Sequence, residues 1–396
     1  MGRLIVCGSG CHNQGIVVGI DASRCRSGGA IAHVRGVLNS CNPEHHGIKK
    51  MHLWAYQGLL DLVLDRPWLI KHASPELEQS LYKQICWQAF TLAKECKAEQ
   101  CDILFTTDAS TFCRFKPMVV LSQDMLSYEP GVMQYFGYGK TRLRLLTILL
   151  LQNLAFKHAD GVIFLTRYAG NVIQKSGGIL SKVAYIPHGV GENFRIVNPI
   201  QKRFGNDDQP IECLYVSPVC EFKHQWVVVR GIEILRKRGY NVTLTLIGGG
   251  KGRPQKILEQ QIKKSDPSSK FILQLDFISH NELPKYLSKA DIFVFASSCE
   301  TFGITLLEAM AVGLPIACSD RSSLPETLQD GGVYFDPENP VSIASAIETI
   351  IKDKSLRSTI AKNARRQSEK YTWARCSKET FDFITDTYKS FDNDRA

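Results

Sequence analysis

Residues 291–320, DIFVFASSCETFGITLLEAMAVGLPIACSD, constrain the fold more than any other stretch of this chain. Residues 291–296 form a short apolar run with the length and composition of a buried parallel strand. The mostly apolar residues 304–311 predict a helix packed on a sheet, and Gly313 and Pro315 predict its end. The start of such a helix directs free backbone N–H groups at the sheet edge, where they can bind an anion. The stretch therefore predicts an α/β domain with an anion site.

Length and composition predict two globular domains. A chain of 396 residues exceeds one ordinary hydrophobic core, so two domains of about 200 residues are expected. The longest strongly apolar run, residues 145–151, is far shorter than the ~20 residues that span a bilayer. The first residues also lack the basic and apolar segments of a secretory signal. The expected location is the cytoplasm, including the inner face of the cell membrane.

The thirteen cysteines are scattered without paired spacing, which favours reduced, buried thiols over a disulfide framework. The one cluster with metal-ligand character, Cys7, Cys11 and His12, lacks a second pair of ligands downstream. The sequence also shows no DxD-type motif at the end of a predicted strand. We therefore expect no metal ion and no other cofactor.

The positive charge is concentrated in the first half of the chain. Residues 1–195 hold 21 Lys/Arg against 14 Asp/Glu, whereas the remainder holds 27 against 25. This imbalance fits an anionic partner such as a phospholipid surface, a lipid diphosphate or nucleic acid, and a solvated basic surface explains it equally well. Basic residues are not interleaved with aromatic residues as nucleic-acid binding requires, so no nucleic-acid partner is expected.

Strand and helix patterns alternate along the whole chain, which predicts parallel sheets with helices on both faces, twice over. Residues 16–20 predict the first strand, and Gly28 and Gly29 begin the helix that follows, where the absence of side chains lets a phosphate approach the backbone. The predicted divisions are a loose leader, an N-terminal domain, a C-terminal domain and a final helix, at residues 1–14, 15–197, 198–373 and 374–396.

Residues 138–158 predict a long helix in which Arg142, Arg144 and Lys157 stand among leucines. Two interpretations are open for it. An amphipathic helix packed on the core is favoured over a helix that contacts a membrane surface.

The sequence ETFGITLLE at residues 300–308, followed by Ala-Met-Ala-x-Gly-x-Pro, resembles the Glu-x7-Glu signature of glycosyltransferase family 4. Most of the chain supports the resemblance, because further landmarks follow in the family order at residues 160–166, 186–190, 222–225, 323–326 and 330–337. The resemblance implies the GT-B fold, in which two Rossmann-like domains face each other across a cleft and a C-terminal helix crosses back to the first domain. It also implies a retaining, nucleotide-sugar-dependent hexosyltransferase.

The resemblance assigns roles to individual positions. It implies that Glu308 binds the ribose hydroxyls, that Glu300 contacts the donor sugar, and that Lys223 binds the phosphates and stabilises the leaving diphosphate. Glu300 and Lys223 are thus the expected catalytic residues. The other expected donor-binding positions are the backbone around the start of the predicted helix and the glycine pair of the first domain: Phe302, Gly303, Ile304, Thr305, Gly28 and Gly29.

Two departures from the family pattern lie on the opposite side of the expected cleft. Ser217 stands where many members carry an arginine, so we place it among the donor-binding positions without a charge. Gln123 and Asp124 occupy the stretch where many members carry a histidine, and we place both on the acceptor side together with His188.

The sequence therefore predicts transfer of a hexose from GDP-mannose or a UDP-sugar to a glycan or lipid-linked acceptor in polysaccharide or lipopolysaccharide assembly. Peripheral membrane association is part of this expectation. Two alternatives stay open: a nucleotide-sugar epimerase of the same fold, and a non-catalytic nucleotide-sugar-binding scaffold. A dehydrogenase and a P-loop enzyme are disfavoured, because the chain has neither GxGxxG nor GK[ST].

Overall fold

A computed structural model of the chain describes residues 15–197 and 209–394. The predicted leader, with Cys7, Cys11 and His12, and the predicted domain boundary at residue 198 lie outside these residues.

The first domain is built on a seven-stranded, fully parallel sheet in the order β3-β2-β1-β4-β5-β6-β7. The strand order reverses between β1 and β4, which opens a crevice at the carboxyl ends of these strands. The strands are β1 (Ile16–Asp21), β2 (Ile48–Trp54), β3 (Leu69–His72), β4 (Ile103–Thr106), β5 (Met118–Ser122), β6 (Gly161–Phe164) and β7 (Val183–Tyr185).

The second domain repeats the same topology in a six-stranded parallel sheet, with the order β10-β9-β8-β11-β12-β13. Its order reverses between β8 and β11, so this sheet too has a crevice at the carboxyl ends of two adjacent strands. The strands are β8 (Ile211–Val216), β9 (Val242–Ile247), β10 (Ile272–Leu275), β11 (Ile292–Phe295), β12 (Ile316–Ser319) and β13 (Gly332–Phe335).

Helices connect the parallel strands. Those of the first domain are α1 (Gly28–Asn39), α2 (Gln57–Leu60), α3 (Leu81–Phe90), α4 (Leu92–Ala98), α5 (Lys140–His158), α6 (Arg167–Gly177) and α7 (Glu192–Arg195). The remaining helices are α8 (Gln225–Lys237), α9 (Gly252–Ser265), α10 (Leu283–Lys289), α11 (Ile304–Val312), α12 (Leu324–Leu328), α13 (Pro340–Lys352), α14 (Lys354–Ser368) and α15 (Trp373–Asn393).

The central strands are apolar because helices cover both faces of each sheet. Every residue of β4, β5, β6, β11 and β12 is buried, as expected of parallel strands that never face water. The predicted fold of two Rossmann-like domains is confirmed.

The last helix returns to the first domain, as predicted. Ser377 Oγ on α15 donates a hydrogen bond of 2.8 Å to the carbonyl of Val37 on α1. Gly36 and Gly189 make this crossing possible, because a Cβ at either position would lie within 2.2 Å of atoms of Trp373. The close approach therefore requires glycine at both positions.

Two local features of the first domain are not evident from the sequence. Strand β3 is obscured because its four residues lie at the sheet edge and include Lys71 and His72, which interrupt the apolar pattern. The helical residues that follow are divided into α3 and α4, with the break at Thr91.

Helix α5 packs on the core along one of its faces, as the favoured interpretation predicts, but the helix is not amphipathic, because its exposed side carries leucines. Its buried residues are Leu145, Gln152, Ala155 and Phe156. Four other leucines are exposed to between 45% and 67% and follow one stripe of the helix, at positions 143, 146, 150 and 154. Among the described residues, no helix is long and apolar enough to cross a membrane.

Candidate active site

Lys223 and Glu300 meet at the crevice of the second sheet. They follow β8 and β11, which are hydrogen-bonded neighbours at the reversal of strand order. The Lys223 ammonium and the Glu300 carboxylate form an ion pair in which the two side chains are only 10% and 15% exposed. Burial opposes the charged form of Lys223, but the charge and hydrogen bond of Glu300 outweigh this effect and raise the pKa of the lysine. The ammonium is therefore charged in the unliganded site.

The loop that carries Lys223 is fixed on both sides. The residue ends a short 3-10 turn, Glu221–Lys223, and His224 follows it in the left-handed region with φ of +51°. Tyr215 Oη donates a 2.5 Å hydrogen bond to the carbonyl of Lys223. These contacts leave the ammonium at the carboxyl end of β8, directed at the neighbouring loop after β11.

Two serines after β12 position the backbone of Glu300. The Oγ of Ser322 accepts a hydrogen bond from the Glu300 N–H at 2.9 Å, and the Oγ of Ser323 donates to the Glu300 carbonyl at 2.8 Å. Ser322 Oγ also lies 2.8 Å from an oxygen of Glu129 in the first domain, whose other oxygen accepts from Tyr168 Oη at 2.6 Å. Sequence reasoning missed Ser322 and Glu129 as site residues, although both are polar residues shortly after a strand.

The N-terminus of α11 is the predicted anion site. Gly303 precedes the helix with φ of +85°, a conformation that favours glycine, and no side chain caps the helix start. The N–H groups of Ile304 and Thr305 belong to the first turn, where α-helical N–H groups have no partner within the helix. The dipole of the helix adds positive potential at the same point. Phe302, which precedes Gly303, is 1% exposed and anchors the loop in the core.

The first domain places a second helix N-terminus opposite the first. Gly28 and Gly29 are the first two residues of α1, and Ser27 caps the helix through its side chain. A Cβ on Gly29 would lie 4.0 Å from Cγ2 of Ile304, whereas a Cβ on Gly28 would meet nothing within 4 Å. The two helices therefore direct their N–H groups into one narrow gap, an arrangement suited to a polyanion such as a diphosphate.

Glu308 lies on α11 and is 2% exposed. One carboxylate oxygen accepts a 2.6 Å hydrogen bond from Nε2 of His280, and the other, Oε2, has no hydrogen-bond partner among the described residues. The carboxylate borders a cavity of about 310 Å³ between the domains, with Ile304 on one side and Arg35 and Trp373 on the other. An unpaired buried carboxylate oxygen is costly unless a ligand satisfies it.

His280 is a site residue that sequence reasoning missed. The one available signal was a polar residue in the loop after a strand, at the edge where open α/β sheets bind ligands. Its hydrogen bond to Glu308 raises the pKa of His280. Burial raises the pKa of Glu308, and the hydrogen bond and charge of His280 oppose that rise.

Ser217 is directed into its own domain. Its hydroxyl accepts a 2.8 Å hydrogen bond from Gln225 Nε2 and donates to the carbonyl of Pro218 at 3.1 Å. The side chain is therefore occupied by local contacts, and its predicted role in donor binding stays a prediction.

Gln123 and Asp124 lie at the junction between the domains and also make local contacts. Gln123 Nε2 donates to the carbonyl of Thr107 at 3.1 Å, and the carbonyl of Gln123 accepts from Thr301 Oγ1 of the second domain at 3.1 Å. Asp124 accepts from the Leu126 N–H at 2.9 Å. Both residues border the loop that contains Glu300, and their acceptor-side role stays a prediction.

His188 lies inside the domain junction. It is 5% exposed, and its Nδ1 is 3.1 Å from Nδ1 of His33. Its ring contacts that of Phe302 edge-on at 5.6 Å between centroids, and burial lowers its pKa to about 3, so the imidazole is neutral. This placement indicates packing between the domains, and no described contact supports an acceptor role.

Several hydrogen bonds hold the domains together around the cleft. The carboxylate of Glu326, in the second domain, accepts from the N–H groups of Arg167 and Tyr168 at 2.9 and 2.8 Å. These are the first N–H groups of α6 in the first domain, where a carboxylate is favoured by the helix dipole. Thr166 Oγ1 donates to the carbonyl of Thr301 at 2.9 Å. The loop of Glu300 is thus bound to both domains.

One group within the described parts of the chain has the donor atoms for a metal ion. It consists of His52, His72 and Glu99, with 2.9 Å between His52 Nδ1 and His72 Nε2. These residues belong to β2, β3 and the end of α4, none of which carries a predicted donor-binding residue.

Residues 197–367 match the family model of the glycosyl transferases group 1. The match covers most of the second domain. The predicted resemblance to glycosyltransferase family 4 is confirmed. The O-antigen chain mannosyltransferase B of Escherichia coli is 30% identical over 34% of this chain and 35% of its own length. A GDP-mannose-dependent phosphatidylinositol monomannoside mannosyltransferase of Mycolicibacterium smegmatis is 27% identical over 49% and 54%. The chain thus matches about a third to a half of the length of these relatives.

Solved structures resemble almost the whole chain in fold. Sucrose-phosphate synthase from Thermosynechococcus elongatus superposes with a TM-score of 0.75 at 18% identity and covers 95% of this chain and 100% of its own. HepE from Anabaena, in complex with UDP-glucose, gives a TM-score of 0.70 at 18% identity with the same coverage. These likenesses confirm the GT-B fold.

Proposed function

We propose that the protein transfers a hexose from a nucleoside diphosphate sugar to an acceptor hydroxyl, with retention of the anomeric configuration. One observation carries this proposal: two helix N-termini and one unpaired buried carboxylate oxygen border the interdomain cleft, and the Lys223–Glu300 ion pair involves the loop that leads into α11. The match to the model of the glycosyl transferases group 1 supports the same activity. Neither the epimerase nor the scaffold alternative has a specific observation in its favour.

Each part of the donor has a complementary group in the cleft. The Glu308 carboxylate accepts hydrogen bonds from the two ribose hydroxyls, one on each of its oxygens. The diphosphate lies between the start of α11 and the Gly28–Gly29 end of α1, where N–H groups and dipoles neutralise its charge. Lys223 exchanges its ion pair with Glu300 for the diphosphate, and the released Glu300 carboxylate contacts the hydroxyls of the donor sugar.

The reaction follows from this arrangement. The acceptor oxygen forms a bond to the anomeric carbon on the face from which the diphosphate departs, and the bond from that carbon to the diphosphate oxygen breaks. The proton of the acceptor hydroxyl passes to the leaving diphosphate. Lys223 and the helix N–H groups stabilise the charge that develops on that diphosphate. Because these groups already supply positive charge, we expect no metal requirement.

The donor and acceptor follow from the relatives. The GDP-mannose-dependent mannosyltransferase of Mycolicibacterium smegmatis favours GDP-mannose as the donor, and the complex of HepE with UDP-glucose makes a UDP-sugar the second candidate. The acceptor is a glycan or a lipid-linked glycan in polysaccharide or lipopolysaccharide assembly. The exposed leucine stripe of α5 supports peripheral association with the inner face of the cell membrane.

A thermal-shift screen against GDP-mannose and UDP-sugars tests donor binding. A donor at 100 times its dissociation constant stabilises the protein by about 2.7 kcal/mol, and we expect this shift for one nucleotide sugar and not for Glu308→Ala. Incubation of that donor with and without glycan acceptors then separates transfer from epimerisation, which needs no acceptor. A change of sugar configuration in the donor alone would refute the proposed transfer activity. The anomeric signal of the product, read by NMR, tests retention.

A further inference from the structure

An apolar cavity of about 410 Å³ lies between α3 and α5, on the surface of the first domain. Leu81 and Ile85 form one wall, from α3. Leu143, Ile148 and Leu151 form the other wall, from α5. The cavity is separate from the interdomain cavity that Glu308 borders. A water-facing cavity with hydrocarbon walls favours an apolar guest.

One end of the cavity is basic. Lys140 and Arg144, from the first two turns of α5, line it together with Arg24. Arg24 already pairs with Asp108 at 3.1 Å, whereas no ion pair within the described residues involves Lys140 or Arg144. An apolar body with two available cations at one end is complementary to an amphiphile with an anionic headgroup.

The basic end lies beside the proposed active site. Arg24 belongs to the loop that leads from β1 to Gly28, at the carboxyl edge of the first sheet. Arg144 is within electrostatic reach of Asp124, and the neighbouring carbonyl of Gln123 contacts Thr301 next to Glu300. A phosphate headgroup bound by Lys140 and Arg144 would therefore place the acceptor hydroxyl that it carries on the acceptor side of the cleft.

The surface of α5 gives a hydrocarbon chain a route to the cavity. Leu146, Leu150 and Leu154 are exposed to 45%, 63% and 56% and continue from Leu143 along the helix. Several exposed leucines on one stripe of a helix form an apolar patch, and such patches mark contact surfaces on soluble proteins.

We propose that this cavity binds the hydrocarbon chain of a lipid phosphate acceptor, with Lys140 and Arg144 on its phosphate. The inference rests on the proposed glycosyl transfer and selects the lipid-linked class from the two acceptor classes. The binding site itself does not depend on the identity of the sugar.

Isothermal titration calorimetry with dodecyl phosphate, below its critical micelle concentration, tests the site on the full chain. We expect saturable binding of one equivalent. Inorganic phosphate tests the headgroup alone, and dodecyl maltoside tests the chain with an uncharged headgroup; both should bind at least about tenfold more weakly, because each lacks one of the two complementary parts. Equal binding of dodecyl maltoside would overturn the assignment of a phosphate site.

Matched variants on one helix locate the site. Leu143→Glu places a carboxylate against the cavity wall and should weaken dodecyl phosphate binding by about tenfold or more. Leu150→Glu is the control, because Leu150 is exposed to 63% against 67% for Leu143 and does not line the cavity. Arg144→Glu should likewise weaken binding, with Lys157→Glu as its control. Equal losses in a variant and its control would overturn the proposed location.

Two further measurements separate the proposed lipid site from a general membrane contact and from the proposed donor site. Binding to phosphatidylglycerol vesicles without binding of dodecyl phosphate would show a membrane surface contact and overturn the cavity site. Donor binding, measured by thermal shift, should be the same in wild type and Leu143→Glu. If the wild type binds no nucleotide sugar, the proposed function is refuted. If it binds a nucleotide sugar but no dodecyl phosphate, only the proposed lipid site in the cavity is refuted.

Discussion

The two walls of the cleft differ in how completely they are formed without a ligand. On the second domain, Lys223 and Glu300 form an ion pair, and Glu308 pairs with His280 through one carboxylate oxygen. Its other oxygen has no partner among the described residues, and Glu308 borders the interdomain cavity. On the first domain, Gln123 and Asp124 are occupied by local hydrogen bonds, and His188 is buried in the junction. In the proposed reaction, the second domain binds the donor, and the acceptor contacts loops of the first domain and the surface of α5. Loops are the regions in which proteins of one fold vary.

Loss of Lys223 should have the largest effect. Lys223→Ala removes the ammonium that stabilises the leaving diphosphate, so turnover should fall by a factor on the order of 10²–10³. Lys263→Ala, at an exposed position of the same domain, is the control and should be unchanged. Because the substitution leaves Glu300 without its partner, the melting temperature must be measured in parallel. Wild-type turnover in Lys223→Ala would contradict the assignment of Lys223 as the residue that stabilises the leaving diphosphate.

Glu308→Gln tests ribose recognition by the same wall. A hydrogen bond to a charged group contributes about 1.5–3 kcal/mol, so the dissociation constant of the donor should rise by about 10–100-fold. Turnover at saturating donor should change less, because Glu308 contacts the nucleoside and not the reacting sugar. Glu259→Gln, at an exposed position, serves as the control. An unchanged dissociation constant would contradict the ribose assignment.

The His280–Glu308 hydrogen bond predicts a pH dependence of donor binding. The bond raises the pKa of His280 above its ordinary 6.5, so the pair is fully formed below pH 6.5 and is lost as pH rises through the raised value. We expect each ribose hydroxyl to take one oxygen of Glu308, so that donor binding displaces His280 from the carboxylate and releases a proton in this pH window. Affinity should therefore increase with pH across this window, by up to about tenfold per pH unit. In His280→Asn the profile should be flat, and an equally steep profile there would exclude the histidine as its origin.

Gly29→Ala should have the smallest effect and probes the contribution of the first domain to the donor site. The added methyl group would lie 4.0 Å from Ile304, so the fold tolerates it, but it narrows the gap in which the diphosphate lies. Turnover should fall by about two- to tenfold, because the phosphates are displaced from the helix N–H groups. Gly28→Ala adds a methyl group that meets no protein atom within 4 Å, so a fall in its turnover would report on the ligand and not on the fold. Unchanged turnover in both variants would argue against a diphosphate in the gap.

Sequence reasoning was most reliable where one local pattern determines one element. The strand, loop and helix around Glu300 were predicted within one or two residues, because an apolar run, a polar loop and a Gly-x-Pro end leave few alternatives. Reasoning failed at β3, where an edge strand contains Lys71 and His72. It also failed for α5, because leucines on several faces indicate burial but do not say which leucines find a partner.

The sequence by itself determined the α/β class and the GT-B architecture, since these follow from local patterns and an ordered set of motifs. It also led to the prediction that Lys223, Glu300 and Glu308 bind the donor. Only the tertiary structure decided which partners each of them has. The partners are elements distant along the chain: His280 bonds to Glu308, Ser322 bonds to the backbone of Glu300, and the start of α1 lies opposite the start of α11. No local pattern in the sequence encodes these contacts. The exposure of the leucines on α5 was decided in the same way, because burial depends on what the rest of the chain places against a helix.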